Sequence, residues 1–171
     1  TAHDALRMLE AIRISELALR IAGPIETEAL RRQMESHDGW RFAEYLGVLD
    51  RKAVSRLMSQ SVAGLVLFHP EPNHVNAQPN KLFEYMSAGI PVIASHFPLW
   101  RDIIERFDCG ICGDPLDPAE IADAMLRLAG DPALARRMGR NGRTAVLERF
   151  NWEQEQGRLL QLYRELSGSA A

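Results

Sequence analysis

A lysine and a glutamate, Lys81 and Glu84, stand about one turn apart in the amphipathic segment Pro79-Asn80-Lys81-Leu82-Phe83-Glu84-Tyr85-Met86-Ser87-Ala88-Gly89. A carboxylate carries only acceptors, so Glu84 can hold two adjacent sugar hydroxyls. The first N–H groups of a helix begun here are unpaired and attract anions, phosphates above all. Lys81 adds a cation in the first turn. That placement opposes the helix dipole and weakens the helix slightly unless an anion sits nearby. Amide donors and a diol acceptor on one short helix suit a nucleoside diphosphate. They equally suit an ordinary crossover helix with a solvated lysine and glutamate, and spacing alone leaves both readings open.

The elements that would position these residues are a strand, a loop, a helix and a second strand. An apolar run, Val62 to Phe68, gives way to the polar loop beginning at Asn73. Pro79 suits a first helical position, where a missing N–H costs little. Leu82, Phe83 and Met86 recur at helical spacing. Gly89 can close the helix in a left-handed conformation, Pro91 blocks its continuation, and Val92 to Ser95 reads as the next strand. Together these make a βαβ crossover.

The rest of the chain alternates in the same way. Helices are predicted over Asp4–Arg13, Thr27–Ser36, Lys52–Ser59, Leu99–Phe107, Ala119–Ala129, Ala133–Arg149 and Trp152–Leu166. Leu6, Leu9, Ile12 and Ile14 form the apolar stripe of the first. Asp50, Asp117, Asp131 and Asn151 are their capping residues, with Pro98, Pro118 and Pro132 at first helical positions. Gly139 and Gly142 are expected to interrupt or bend the long helix that contains them. Further strands are predicted at Leu17–Ala22, Trp40–Leu46 and Gly110–Gly113. Residues 167–171 read as a frayed tail. The expected fold is therefore α/β, a Rossmann-like parallel sheet with helices on both faces. Ligands bind such sheets at the carboxyl ends of the strands. That rim should carry Gly47 to Asp50, His69 to Pro79, and His96-Phe97. The chain opens at Thr1 and enters a helix almost at once, so the expectation is a piece of something longer, with a first strand upstream.

Composition narrows the function. With 171 residues, 46% apolar content and 25% charge, the chain can bury one sizeable core. A net charge of −3 with intermixed signs argues against a nucleic-acid surface. No apolar run reaches bilayer-spanning length, and no leader pattern opens the chain. Two cysteines make no disulfide framework, so a reducing cytoplasm is the default expectation. Gly-x-Gly-x-x-Gly, the P-loop and the Gly-x-Ser-x-Gly elbow are all missing. So is an Asp-x-Asp pair that would suggest metal-held diphosphate. Cys109-Gly110-Ile111-Cys112 matches C-x-x-C but falls on a short strand, and it reads as packing. His69 and His74, on the rim, are read as loop residues. Trp40, Trp100 and Trp152 are read as core anchors.

Pro79-Asn80-Lys81-Leu82-Phe83-Glu84-Tyr85-Met86-Ser87-Ala88-Gly89-Ile90-Pro91-Val92-Ile93-Ala94 resembles the donor-binding segment of GT-B glycosyltransferases, in particular family 4 (glycosyltransferases group 1). Leu19-Arg20-Ile21-Ala22-Gly23-Pro24, Tyr45-Leu46-Gly47-Val48-Leu49-Asp50, Asp108-Cys109-Gly110-Ile111 through Asp114-Pro115, and Phe150-Asn151-Trp152-Glu153 resemble further segments of that family in order. The resemblance implies that residues 1–171 are a single nucleotide-sugar-binding domain, the C-terminal half of a GT-B enzyme. It would end in a crossover helix at 152–166, and the acceptor-binding N-terminal domain would be absent. Glu84 would hold the ribose hydroxyls. The family's other glutamate falls at Asn76, the position implied to be catalytic. An amide there can still hydrogen-bond a sugar hydroxyl, without the charge. Gln78, Pro79, Asn80 and Lys81 would line the diphosphate and sugar, with Pro79 in place of a usual glycine. Val48, Leu49 and Asp50 would face the base.

The implied reaction is transfer of a hexosyl group from a nucleotide-diphosphate sugar, UDP or GDP type, to a glycan or lipid-linked acceptor, with retention. It would use no metal or other cofactor, and a polysaccharide-building role follows. The implied setting is the cytoplasm, with peripheral contact at a membrane through the other half. Two alternatives stand beside it. One is a nucleotide-sugar 2-epimerase of the same architecture, and the other is a non-enzymatic α/β interaction module.

Overall fold

Strands and helices alternate as the periodicity requires. The computed structural model describes residues 2–168. The order is α1 (Ala2–Ser15), β1 (Leu19–Ile21), α2 (Glu28–Glu35), a 3-10 turn (Asp38–Phe42), β2 (Ala43–Tyr45), α3 (Arg51–Ser59), β3 (Gly64–Val66) and the short α4 (Pro72–Val75). Then come α5 (Asn80–Ala88), β4 (Val92–Ser95), α6 (Pro98–Phe107), β5 (Gly110–Gly113), α7 (Pro118–Gly130), α8 (Pro132–Glu148) and α9 (Trp152–Gly168). α9 runs past the expected start of a frayed tail, and residues 169–171 lie outside the described residues. Among the described residues no helix is long and apolar enough to cross a membrane.

All strand pairs are parallel, but they form two ladders rather than one sheet. β1 pairs with β2, and β3, β4 and β5 pair in that order, with Leu65 opposite Ile93 and Ile93 opposite Ile111. Successive side chains on a strand point to opposite faces. Leu65, Leu67, Ile93 and Ile111 accordingly enter one core, shared with α1, α7 and the β1–β2 ladder. Val66, Phe68, Val92, Ala94 and Cys112 enter the other, under α5, α6 and the end of α8. All four residues of β4 are buried, as a strand covered on both faces must be. Helices thus lie on both faces, as expected.

Each of the four predicted capping residues closes a helix start, Asp50 among them. Asp117 Oδ1 accepts from Ala119 and Glu120, Asp131 Oδ1 from Ala133 and Leu134, and Asn151 Oδ1 from Gln154. Pro98, Pro118 and Pro132 each open a helix. Pro79 is a correction: its ψ of 132° makes it the capping residue of α5, with Asn80 first in the helix. Gly89 closes α5 at a φ of 75°, the left-handed region where a Cβ is strained.

Three other expectations fail for physical reasons. Half of the strand predicted at Trp40–Leu46 is the 3-10 turn, begun by His37, whose Nδ1 accepts from the Gly39 N–H at 3.0 Å. Ile14 and Trp152 are exposed, 41% and 68%, the first beyond the buried face of α1 and the second on α9. Gly139 and Gly142 do not interrupt α8, which runs unbroken from Pro132 to Glu148. They let α8 lie against α5. A Cβ on Gly139 would stand 2.0 Å from the Gly89 carbonyl oxygen, and one on Gly142 would press on Met86 and Cys109.

The two thiols belong to this packing. Cys109 and Cys112 are unbridged. Burial, its largest cause, pushes the Cys109 thiol from 9.0 up to about 11, and the Asp108 charge adds to it. Burial pushes Cys112 up to about 12, with the Glu105 charge adding. Neither is activated as a redox thiol would be.

Two outcomes follow. Gly139→Ala should lose about 1–3 kcal/mol of stability by overpacking, read as a lower midpoint in urea at unchanged slope; an unchanged midpoint would refute the close helix contact. The folded state holds both thiol protons above pH 9 while the unfolded chain releases them. Their contribution is therefore complete below pH 9 and is lost as pH rises toward about 11 for Cys109 and about 12 for Cys112. Urea midpoints should fall across that interval, and fall less in a Cys109→Ala/Cys112→Ala variant.

Candidate functional site

The β3-to-α5 segment sets the site. β3 ends at Val66, the chain crosses the rim through α4, and α5 starts at Asn80. α5 is amphipathic in a way that decides which groups face out. Leu82 and Met86 are fully buried, one turn apart, each contributing about 2 kcal/mol of apolar burial. With that face held inward, Asn80, Glu84 and Ser87, at i, i+4 and i+7, share the outer face. They form one wall of an open groove of about 540 Å³, with Phe83 beside them. Ser55 and Met58, at i and i+3 on α3, form the opposite wall.

Glu84 is exposed and makes no ion pair among the described residues. Its carboxylate is therefore available to a ligand. The start of α5 is equally open. No side chain caps it, and the Leu82 N–H turns back to the Pro79 carbonyl at 3.1 Å. The N–H groups of Asn80 and Lys81 have no partner among the described residues. Donors at a helix start next to an exposed carboxylate are the arrangement expected from the sequence. Lys81 is exposed but lies about a quarter turn from Asn80 around the helix, off the groove face.

The remaining predicted residues take other places. Asn76 ends α4, exposed, and its Nδ2 donates to the Pro72 carbonyl at 3.3 Å. Gln78 is exposed and Pro79 half-buried in the turn into α5. Val48 is 77% exposed on the loop after β2, with Leu49 half-buried beside it. That loop is tied to its neighbour: the Gly23 N–H donates to the Gly47 carbonyl at 2.7 Å, and the Tyr45 hydroxyl to the Gly23 carbonyl at 3.0 Å. Asp50 Oδ1 accepts from the Ala53 N–H at 2.7 Å, so this carboxylate also caps α3. The structure brings Asn80 and Glu84 together in one groove, while Asn76, Gln78 and Pro79 lie on the segment between α4 and α5 and Val48–Asp50 on the loop before α3.

Sequence reasoning missed the α3 wall. Ser55 and Met58 carry a helical i, i+3 signal, but only the packing of α3 beside α5 turns it toward Glu84. Of the rim histidines, His74 Nδ1 lies 3.0 Å from the His69 carbonyl, and its ring packs on Phe68 with centroids 5.0 Å apart. The hydroxyl of Tyr85 is raised above its usual pKa, mainly by burial and then by the Glu84 charge.

Comparison with known proteins gives a consistent picture. The family model described as "Glycosyl transferases group 1" matches residues 2–145. Glycogen synthases from two Mycobacterium tuberculosis strains, CDC 1551 / Oshkosh and ATCC 25618 / H37Rv, are each 27% identical over 154 residues. The match covers 88% of this chain and 36% of theirs, so the chain spans about a third of these relatives. Among solved structures, sucrose-phosphate synthase from Thermosynechococcus elongatus superposes with a TM-score of 0.77 at 24% identity, covering 99% of this chain and 44% of that one. WaaG, a glycosyltransferase involved in lipopolysaccharide biosynthesis, superposes at 0.63 and 18% identity, covering 84% of this chain and 39% of its own. Both likenesses are of fold, the Rossmann-like half of a GT-B architecture.

Proposed function

The chain belongs to the group 1 glycosyl transferases, and from that premise we propose that it is the donor-binding half of a hexosyltransferase using a nucleotide-diphosphate sugar. The observation that carries this reading is the exposed carboxylate of Glu84, without an ion pair among the described residues, one turn into a helix whose first N–H groups no side chain caps. Glu84 would accept from the two ribose hydroxyls. The N–H groups of Asn80 and Lys81 would donate to the diphosphate. Val48 and Leu49 would flank the base, and Asn76 and Gln78 would face the transferred sugar.

The chemistry follows from the charge that develops. The bond between the sugar's anomeric carbon and the diphosphate oxygen breaks, its electron pair staying on the diphosphate. The acceptor hydroxyl supplies the new bond and loses its proton. Donors fixed in place before the reaction stabilise the departing charge without reorganising. Lys81 in the first turn is then well placed, because a bound diphosphate turns an unfavourable charge on the helix dipole into a favourable one. Retention at the anomeric carbon and a glycan or lipid-linked acceptor held by a second domain complete the proposal. So does a cytoplasmic setting, with membrane contact left to that second domain. The similarity to glycogen synthase and sucrose-phosphate synthase supports a hexosyl donor.

Calorimetric titration of the full-length polypeptide with UDP, GDP and ADP tests the reading. Binding of one of them is expected. Glu84→Ala should weaken it about 10- to 100-fold, since a charged hydrogen bond contributes about 1.5–3 kcal/mol. Glu84 is exposed and has no ion-pair partner to lose among the described residues, so the variant should stay folded. Equal affinity of variant and parent would remove the ribose role.

A further inference from the structure

We infer that Trp100, helped by Ser95, is a positioning residue for the diphosphate: its indole N–H fixes where the start of α5 stands. The inference rests on the donor-binding reading above.

The segment from Phe68 to Asn80 is long, polar and mostly exposed, and most of its described hydrogen bonds are local. The His74 and Val75 N–H groups donate to Glu71, and that of Ala77 to His74. Such a segment does not by itself place the helix that follows it. Among the described residues, two tethers reach it from the β4–α6 unit, one near each end. At the first end, the Ser95 hydroxyl accepts from the Phe68 N–H at 2.9 Å and also lies 3.1 Å from the Phe68 carbonyl. At the second, Trp100 Nε1 donates to the Ala77 carbonyl at 2.6 Å.

Both tethers stand on rigid ground. Ser95 is fully buried at the end of β4, and Trp100 is 1% exposed in the first turn of α6. The Trp100 ring is wedged against Phe97, with centroids 4.8 Å apart, and edge-on to Phe68 at 5.7 Å. An indole N–H in such a place normally finds one polar partner. Here the partner is a carbonyl two residues before a proline.

That position matters. Pro79 has a fixed φ, and a proline biases the residue before it, Gln78, to extended backbone. Once the Ala77 carbonyl is held, little freedom remains before Asn80. The N–H groups of Asn80 and Lys81 are then aimed by Trp100. Glu84, a turn further on and held by the buried face of α5, depends less on the tether. The two halves of a nucleoside diphosphate should therefore respond differently: the diphosphate end feels Trp100, and the ribose end does not.

Trp100→Phe keeps an aromatic ring in the wedge and removes the donor. In the full-length polypeptide it should weaken binding of the preferred nucleoside diphosphate about tenfold, by calorimetry. Affinity for the corresponding nucleoside, by NMR titration, should stay within about twofold. Ser95→Ala, nearly the same volume, should show the same pattern more weakly, and it serves if the tryptophan variant does not fold. Equal losses for diphosphate and nucleoside would mean that Trp100 is only structural, and the inference falls. So it does if both variants bind the diphosphate as the parent does, while the donor-site reading stands. If the parent binds no nucleotide at all, reading and inference fall together.

Discussion

The structure depends on how closely α8 can approach α5. The Gly139 backbone sits against the Gly89 carbonyl with no room for a Cβ, and Gly142 sits against Met86. This contact presses Leu82 and Met86 into the core and so settles the rotation of α5 about its own axis. The outward direction of Asn80, Glu84 and Ser87 is the remainder of that choice. A helix rotated by a third of a turn would bury the carboxylate without a partner, at a cost far above what a surface contact returns. The glycines at the back of the domain thus govern the chemistry offered at the front.

Much of this was legible beforehand because the signals were local. Asp117, Asp131 and Asn151 bond N–H groups two or three residues ahead, so a capping residue can be read without knowing the fold. The left-handed Gly89 and the apolar run of β4 were equally readable, and so was the pairing of Glu84 with an open helix start. What was not legible depends on distant partners. A glycine inside a helix signals a weak point or a close neighbour, and only α5 tells which applies to Gly139. Trp100 and Trp152 look alike in sequence, yet one is wedged between Phe68 and Phe97 while the other is 68% exposed. Ser55 and Met58 became a groove wall only through the packing of α3. Ser95 was visible as the polar end of an apolar strand, but its role needs Phe68 twenty-seven residues earlier.

The rim shows a division of labour among carboxylates and amides. Asp50 is engaged in capping α3, whereas Glu84 makes no ion pair among the described residues. Asn76 bonds within its own short helix and brings no charge. The charge balance near the start of α5 is therefore set by Lys81 and the backbone dipole on one side and Glu84 on the other. That arrangement is the one on which the donor-binding proposal rests.

The division of the strands into two ladders has a consequence for handling the molecule. Each ladder ends in a row of backbone donors and acceptors that no other strand satisfies among the described residues. Such rows are templates for extended segments from other chains, whereas side chains such as Leu19 and Val66, 8% and 1% exposed, are turned into the cores and add nothing to an outside contact. In concentrated solution, then, any association of this polypeptide through its strands would be stitched edge to edge. Added salt should do little to separate such pairs, because the attraction would be carried by backbone amides rather than by ions.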